Sequence, residues 1–223
     1  AADVGFAKGA YVISKMLWAK GYPQLFQLMK YMNRKKKYNK LEPRADVYGG
    51  GPDLEAISSE ARRQNLNLTF HGGIDHGLLR EHKIMINPSI SEVLCTTSAE
   101  ALAMGKFVIC PVHPSNDFFA QFPNCLQYRN LREAASRLEY ALNNEPEPLS
   151  PTHRRVLTWE AGTERLVEAA QITEAMASAV WPSMKDDMGE GLHRWMSKGK
   201  RGRALRRMVS KKLVETECAT CTA

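Results

Sequence analysis

The sequence predicts an α/β domain built on a doubly wound parallel sheet. Two observations carry this. Short apolar runs rich in Val, Ile, Tyr and Phe alternate along the chain with segments of helical periodicity. Most of those runs end in a Gly or Pro signal at the point where a strand must hand over to a loop. Strand and helix alternating at this spacing define parallel crossover units. In such sheets ligands sit beyond the carboxyl ends of the strands, where the strand order reverses. The loops after the strands are therefore the candidate sites.

Residues 10–13 (Ala-Tyr-Val-Ile) read as the first strand, and Pro23 opens a helix over 23–35. A second strand at 45–48 runs into Gly49-Gly50-Gly51-Pro52 and a helix over 53–64. Residues 68–70 are a third strand and 83–87 a fourth, ended by Pro88. A helix over 98–104 stops at Gly105, and a fifth strand at 107–110 stops at Pro111. Residues 126–128 form a short sixth strand. The helix over 131–143 is indicated by the apolar spacing of Leu131, Ala134, Ala135, Leu138 and Leu142. Pro146, Pro148 and Pro151 then break the chain, and one long helix is expected over about 152–180, ended by Pro182. The expected organisation is a ligand-binding domain over 1–150, a helix over 151–181 and a basic tail over 182–223.

The 223 residues are ample for a packed core. The sequence contains no apolar run of the roughly 18 residues that would cross a membrane. It opens Ala1-Ala2-Asp3, without Met or a basic-then-apolar leader, which is the pattern expected of a fragment or a processed chain. Cys95, Cys110, Cys125, Cys218 and Cys221 form no regular framework and read as reduced thiols, with the terminal CxxC in a tail. The net charge of +7 is uneven. Residues 191–214 hold Arg194, Lys198, Lys200, Arg201, Arg203, Arg206, Arg207, Lys211 and Lys212 and no acid, so the rest of the chain is close to neutral. Leu192, Trp195, Met196, Leu205, Met208, Val209 and Leu213 are interleaved with those bases, the composition of a segment drawn to an anionic membrane surface. Nucleic acid finds no aromatic stacking platform in the body.

Glu92 and Glu100 flank Cys95-Thr96-Thr97-Ser98 and the start of an alanine-rich helix. Thr97 and Glu100 match a capping box, which accounts for Glu100 without a ligand. It does not account for Glu92. Backbone amides at Thr96 and Thr97, at the positive end of a helix, form a seat for a diphosphate, with a carboxylate on either side for sugar hydroxyls. Lys15 and Lys20, after the first strand, are either solvated lysines or charges that neutralise a leaving diphosphate. Gly49 and Gly51 suit a nucleotide loop, or only a tight turn before Pro52. Leu54 stands where the dinucleotide fingerprint needs its third glycine, and no acid lies at the required distance beyond it, which argues against NAD. His71, His76 and His113 have no metal-ligand spacing and read as structural, so no metal is inferred. Arg34, Lys35, Lys36, Lys37 and Lys40 read as a solvated basic run at a helix end.

The order Ser14-Lys15…Lys20-Gly21, Tyr48-Gly49…Gly51-Pro52-Asp53, Asn87-Pro88-Ser89, then Glu92…Glu100-Ala101-Leu102-Ala103…Gly105-Lys106 resembles the donor half of retaining GT-B glycosyltransferases. Cys95 through Lys106, His113-Pro114-Ser115-Asn116, Phe118-Phe119, Gln121 through Cys125 and Thr158-Trp159-Glu160-Ala161 are more similar still to the galactolipid branch, the plant and algal digalactosyldiacylglycerol synthases. The resemblance covers about residues 8–170. It implies a Rossmann-like C-terminal domain, a UDP-galactose donor and a galactolipid acceptor, monogalactosyldiacylglycerol, with no cofactor or metal. It also implies an absent N-terminal acceptor domain and a chloroplast location, peripheral on the outer envelope membrane. Carried over by resemblance, Glu100 binds ribose and Glu92 faces the galactose. Lys15, Lys20 and the amides near Thr96 and Thr97 meet the phosphates, and Ile74 lies against the uracil. A UDP-sugar-binding fragment inactive alone, or a related transferase with another acceptor, is the alternative.

Overall fold

The computed structural model describes residues 6–39, 44–90 and 92–170. The chain divides into two units, Ala1–Gly162 and Thr163–Ala223, and the sheet belongs to the first. Six strands form it in the order β3-β2-β1-β4-β5-β6, every pair parallel. They are β1 (Lys8–Ile13), β2 (Ala45–Tyr48), β3 (Leu68–His71), β4 (His82–Ile86), β5 (Phe107–Pro111) and β6 (Cys125–Tyr128). The chain winds outward from β1 to β3, then returns to the other side of β1 to lay down β4, β5 and β6. The reversal therefore falls between β1 and β4. The predicted fold class and all six strands are present, each within two residues of the expected bounds.

Side-chain alternation along the strands divides the core in two. Ala10, Val12, Val47, Ile84, Ile86, Phe107 and Ile109 face one layer. That layer is built from α1 (Tyr22–Asn39), α2 (Leu54–Arg63) and α4 (Leu131–Asn143), which contribute Leu25, Met29, Ile57, Ala61, Ala135 and Leu138. Tyr11, Tyr48, Met85, Val108 and Cys110 face the other, beneath Ala101 and Leu102 of α3 (Thr96–Ala103) and Phe119 of a 3-10 helix at Pro114–Gln121. Burial on both faces explains why these strands read as short continuous apolar runs.

Caps follow the local sequence. Asn130 accepts the Glu133 amide at 2.9 Å, and the Glu133 carboxylate accepts the Arg129 amide at 2.8 Å, a reciprocal closure at the start of α4. Ser150 caps the short α5 (Pro151–Val156). The single helix expected from residue 152 is instead two. The Thr158 hydroxyl donates to the Arg155 carbonyl and accepts the Ala161 amide, closing α5 and opening α6 (Trp159–Ala169). The basic run at the end of α1 is partly structural, because Lys35 pairs with Glu139 of α4 at 3.1 Å. The rest of the expected long helix, the basic tail and the CxxC lie outside the described residues.

Candidate functional site

Three strand-end loops meet at the carboxyl edge where the order reverses. The loop after β1 packs against the loop after β2: the Met16 amide donates to the Gly50 carbonyl and the Asp53 carboxylate accepts the Trp18 amide. Gly49 has φ 138°, and a Cβ there would sit 2.0 Å from the Ser14 carbonyl oxygen. At Gly51 a Cβ would lie 2.6 Å from the Met16 oxygen. Close approach of two backbones thus accounts for both glycines. Gly21, with φ 84°, ends the 3-10 turn Trp18–Lys20 against Pro88 of the loop after β4. Asn87 fixes that loop from within. Its amide nitrogen donates to the Ser98 hydroxyl of α3 at 3.1 Å and its oxygen accepts the Ser89 amide at 3.2 Å.

This packing brings Lys20 and Glu92 together across the reversal. Lys20 Nζ lies 2.6 Å from Glu92 Oε1, with each side chain 22% exposed. Lys15, on the same loop as Lys20, is exposed and has no side-chain partner among the described residues. Ile74 is exposed too, on the loop after β3.

The structure overturns the capping box. Cys95, not Thr97, is the N-cap of α3, and no side chain closes it. Thr96 and Thr97 are the first two helical residues, so their amides have no intrahelical carbonyl to bond. Glu100 lies one turn further in, beyond reach of the cap. Its Oε2 is instead 2.7 Å from His76 Nδ1, while the side chain is 53% exposed. His76 belongs to a 3-10 turn, His76–Leu78, opened by Asp75, which accepts the Gly77 amide at 2.8 Å. The imidazole is buried, and its Nε2 lies 2.6 Å from the Tyr11 hydroxyl.

Sequence reasoning missed this polar group on one face of the sheet. Beside it, Lys106 is fully buried. Its ammonium donates to the carbonyls of Leu79 at 2.7 Å and Arg80 at 3.2 Å, and to that of His82. It also lies over the rings of Phe6 and Tyr11 at 5.2 and 5.6 Å. Burial pushes Lys106 down to about 8. Burial, and to a lesser degree the Glu100 carboxylate, push the Tyr11 phenol well above its ordinary value. Toward the outer strands, His71 stacks on Tyr48 at 4.6 Å and bonds Asp46 at 2.9 Å, which makes it structural as expected. His113 caps the 3-10 helix at Pro114–Gln121 by accepting the Ser115 amide.

The six-stranded parallel sheet of this order is the Rossmann-like architecture of GT-B glycosyltransferase domains. Residues 8–150 match the family described as Glycosyl transferases group 1, and the chain belongs to that family. Within it, the sequence is 49% identical over 174 residues to digalactosyldiacylglycerol synthase 1, chloroplastic, of Lotus japonicus, covering 77% of this chain and 22% of that protein. It is 42% identical over 172 residues to digalactosyldiacylglycerol synthase 2, chloroplastic, of the same plant, covering 76% and 36% respectively. The chain thus spans about a fifth to a third of the length of these relatives. Among solved structures, TarM of S. aureus superposes with a TM-score of 0.61 at 20% identity, over 75% of this chain and 35% of TarM. Among the described residues no helix is long and apolar enough to cross a membrane.

Proposed function

We propose that this domain binds UDP-galactose and, with an acceptor-binding domain, transfers the galactose with retention to monogalactosyldiacylglycerol at a plastid envelope. The observation that carries the reading is the pairing of Lys20 with Glu92 at the strand-order reversal. It lies on the loop that leads into α3, which bears Thr96, Thr97 and Glu100. The diphosphate would take the amides of Thr96 and Thr97 together with Lys15 and Lys20, so that fixed positive charge meets the charge of the departing UDP. The Glu100 oxygen not bonded to His76 is available to ribose hydroxyls, Glu92 to the galactose, and the exposed Ile74 to the uracil face. The likeness to digalactosyldiacylglycerol synthases supports the lipid product and the chloroplast location. In this reading residues 1–150 hold the donor and 151–181 form the crossover toward the acceptor domain.

Calorimetric titration of the chain with UDP-galactose, UDP-glucose and UDP tests the donor assignment. UDP-galactose is expected to bind, and Glu100→Gln to weaken it by about tenfold or more through loss of a charged acceptor. Equal binding by the variant would withdraw Glu100 from the site. The tail over 182–223 is proposed as a membrane-surface contact on its composition alone. Deleting residues 191–223 is expected to weaken binding to phosphatidylserine vesicles by roughly 1 kcal/mol for each base that reaches the surface. Unchanged vesicle binding would overturn that assignment.

A further inference from the structure

Glu100 is held from behind. One carboxylate oxygen meets His76 Nδ1 at 2.7 Å, and the far side of the same imidazole meets the Tyr11 hydroxyl at 2.6 Å. His76 and Tyr11 are both buried, whereas Glu100 is half exposed. The three residues come from different elements: β1, the turn after β3, and α3.

Chemistry sets the direction of this chain of bonds. A phenol has one proton, and among the described residues Tyr11 has one hydrogen-bond partner, His76. Tyr11 also keeps that proton, since burial and the neighbouring carboxylate both oppose its loss. A hydroxyl that donates to Nε2 leaves the ring proton on Nδ1. From Nδ1 it is donated to Glu100 Oε2. Lys106 cannot reverse the order, because its ammonium is directed at the Leu79, Arg80 and His82 carbonyls.

We propose that His76, oriented by Tyr11, is a positioning residue for nucleotide recognition: it fixes one oxygen of Glu100 so that the other is presented, with its rotamer set, to a vicinal diol. His76 touches no substrate. Its effect is to remove the entropy that a half-exposed glutamate would otherwise lose on binding. The turn that carries His76 also comes directly after Ile74 in the same loop. The groups proposed for the uracil and the ribose are thereby tied to each other before the donor arrives. This inference rests on the proposed donor site.

The test compares UDP with 2′-deoxy-UDP, which lacks half of the diol. The wild-type chain is expected to prefer UDP by about tenfold, the scale of one hydrogen bond to a charged group. His76→Gln keeps a group toward Tyr11 but not toward Glu100, and is expected to cut the preference to about twofold or less, weakening UDP by a larger factor than 2′-deoxy-UDP, whose 3′-hydroxyl still meets Glu100. His76→Asn places an amide where Nδ1 was and is expected to restore most of the preference. Tyr11→Phe should reduce it partway. A purely structural role would weaken both ligands together. If Glu100→Gln loses the preference while both His76 variants keep it, the inference fails and the donor site stands. If the wild type binds neither ligand or shows no preference, both fail. A further check on the unsubstituted chain is the nitrogen NMR spectrum of its imidazoles, in which the His76 ring must carry its proton on Nδ1; a proton on Nε2 would overturn the inference without any variant.

Discussion

Replacing Lys106 by methionine is expected to lower unfolding free energy by about 2–4 kcal/mol at neutral pH, and Tm by roughly 10 °C for a domain of this size. Two effects oppose each other. Methionine relieves the cost of keeping an ammonium away from water, and burial has already pushed Lys106 down to about 8. Against that, the acceptors are backbone carbonyls of Leu79, Arg80 and His82, which no substitution at residue 106 removes. The Leu79 carbonyl keeps the His82 amide at 3.3 Å, but those of Arg80 and His82 lose the lysine donor, and at about 1–3 kcal/mol for each orphaned acceptor the two outweigh the desolvation recovered. The lysine also has a pH signature. The folded-state pKa lies below the ordinary 10.5, so the unfolded chain binds more protons between about 8 and 10.5, and stability rises with pH across that window. Between pH 7.5 and 9.5 the gap between wild type and Lys106→Met should widen by on the order of 1–2 kcal/mol. Urea unfolding at the two pH values measures both quantities. A variant as stable as the wild type would mean that water reaches those carbonyls.

Lys106 could not be read from the sequence for a physical reason. It stands after Gly105 at the end of a helix, where a lysine is ordinarily solvated. Only the strand order, with β4 between β1 and β5, closes the space around it. Strand order leaves no mark in local patterning, whereas the strands themselves do, as apolar runs bounded by Pro88, Pro111 and Gly49. Glu100 shows a different limit. The Thr-x-x-Glu pattern is present, but a run of Cys95, Thr96, Thr97 and Ser98 offers several possible helix starts. The helix begins at Thr96, which moves Glu100 out of capping range and toward His76. Tyr11 and His76 are far apart in sequence, and each looks ordinary alone: an aromatic in an apolar strand, and a histidine in a glycine-rich loop. Lys20 and Glu92 were legible as candidates through the resemblance of their loops to a family. That they touch was not.

Their contact leads to the second expectation. Lys20→Met should weaken UDP binding by about 10–100-fold, whereas Glu92→Gln should strengthen binding of UDP without sugar by a few-fold. The Glu92 carboxylate holds the Lys20 ammonium at 2.6 Å in a partly shielded position. A diphosphate carries more charge than a carboxylate, but it must compete with a partner already in place. Removing the carboxylate's charge removes the competitor while leaving the lysine. The sugar separates two roles for Glu92. If Glu92 also accepts bonds from the galactose, Glu92→Gln gains less for UDP-galactose than for UDP, and the difference between the two ligands isolates the sugar contact. Lys20→Met with Glu92→Gln closes a double-mutant cycle, and the coupling should be large because the pair is in direct contact. Raising the salt from about 50 to about 500 mM should weaken UDP binding to the wild type less than to Glu92→Gln, where the lysine is left without its carboxylate. A Glu92→Gln variant that loses UDP and UDP-galactose in equal measure would instead make Glu92 a scaffold for the loop, and the galactose would have to be read elsewhere.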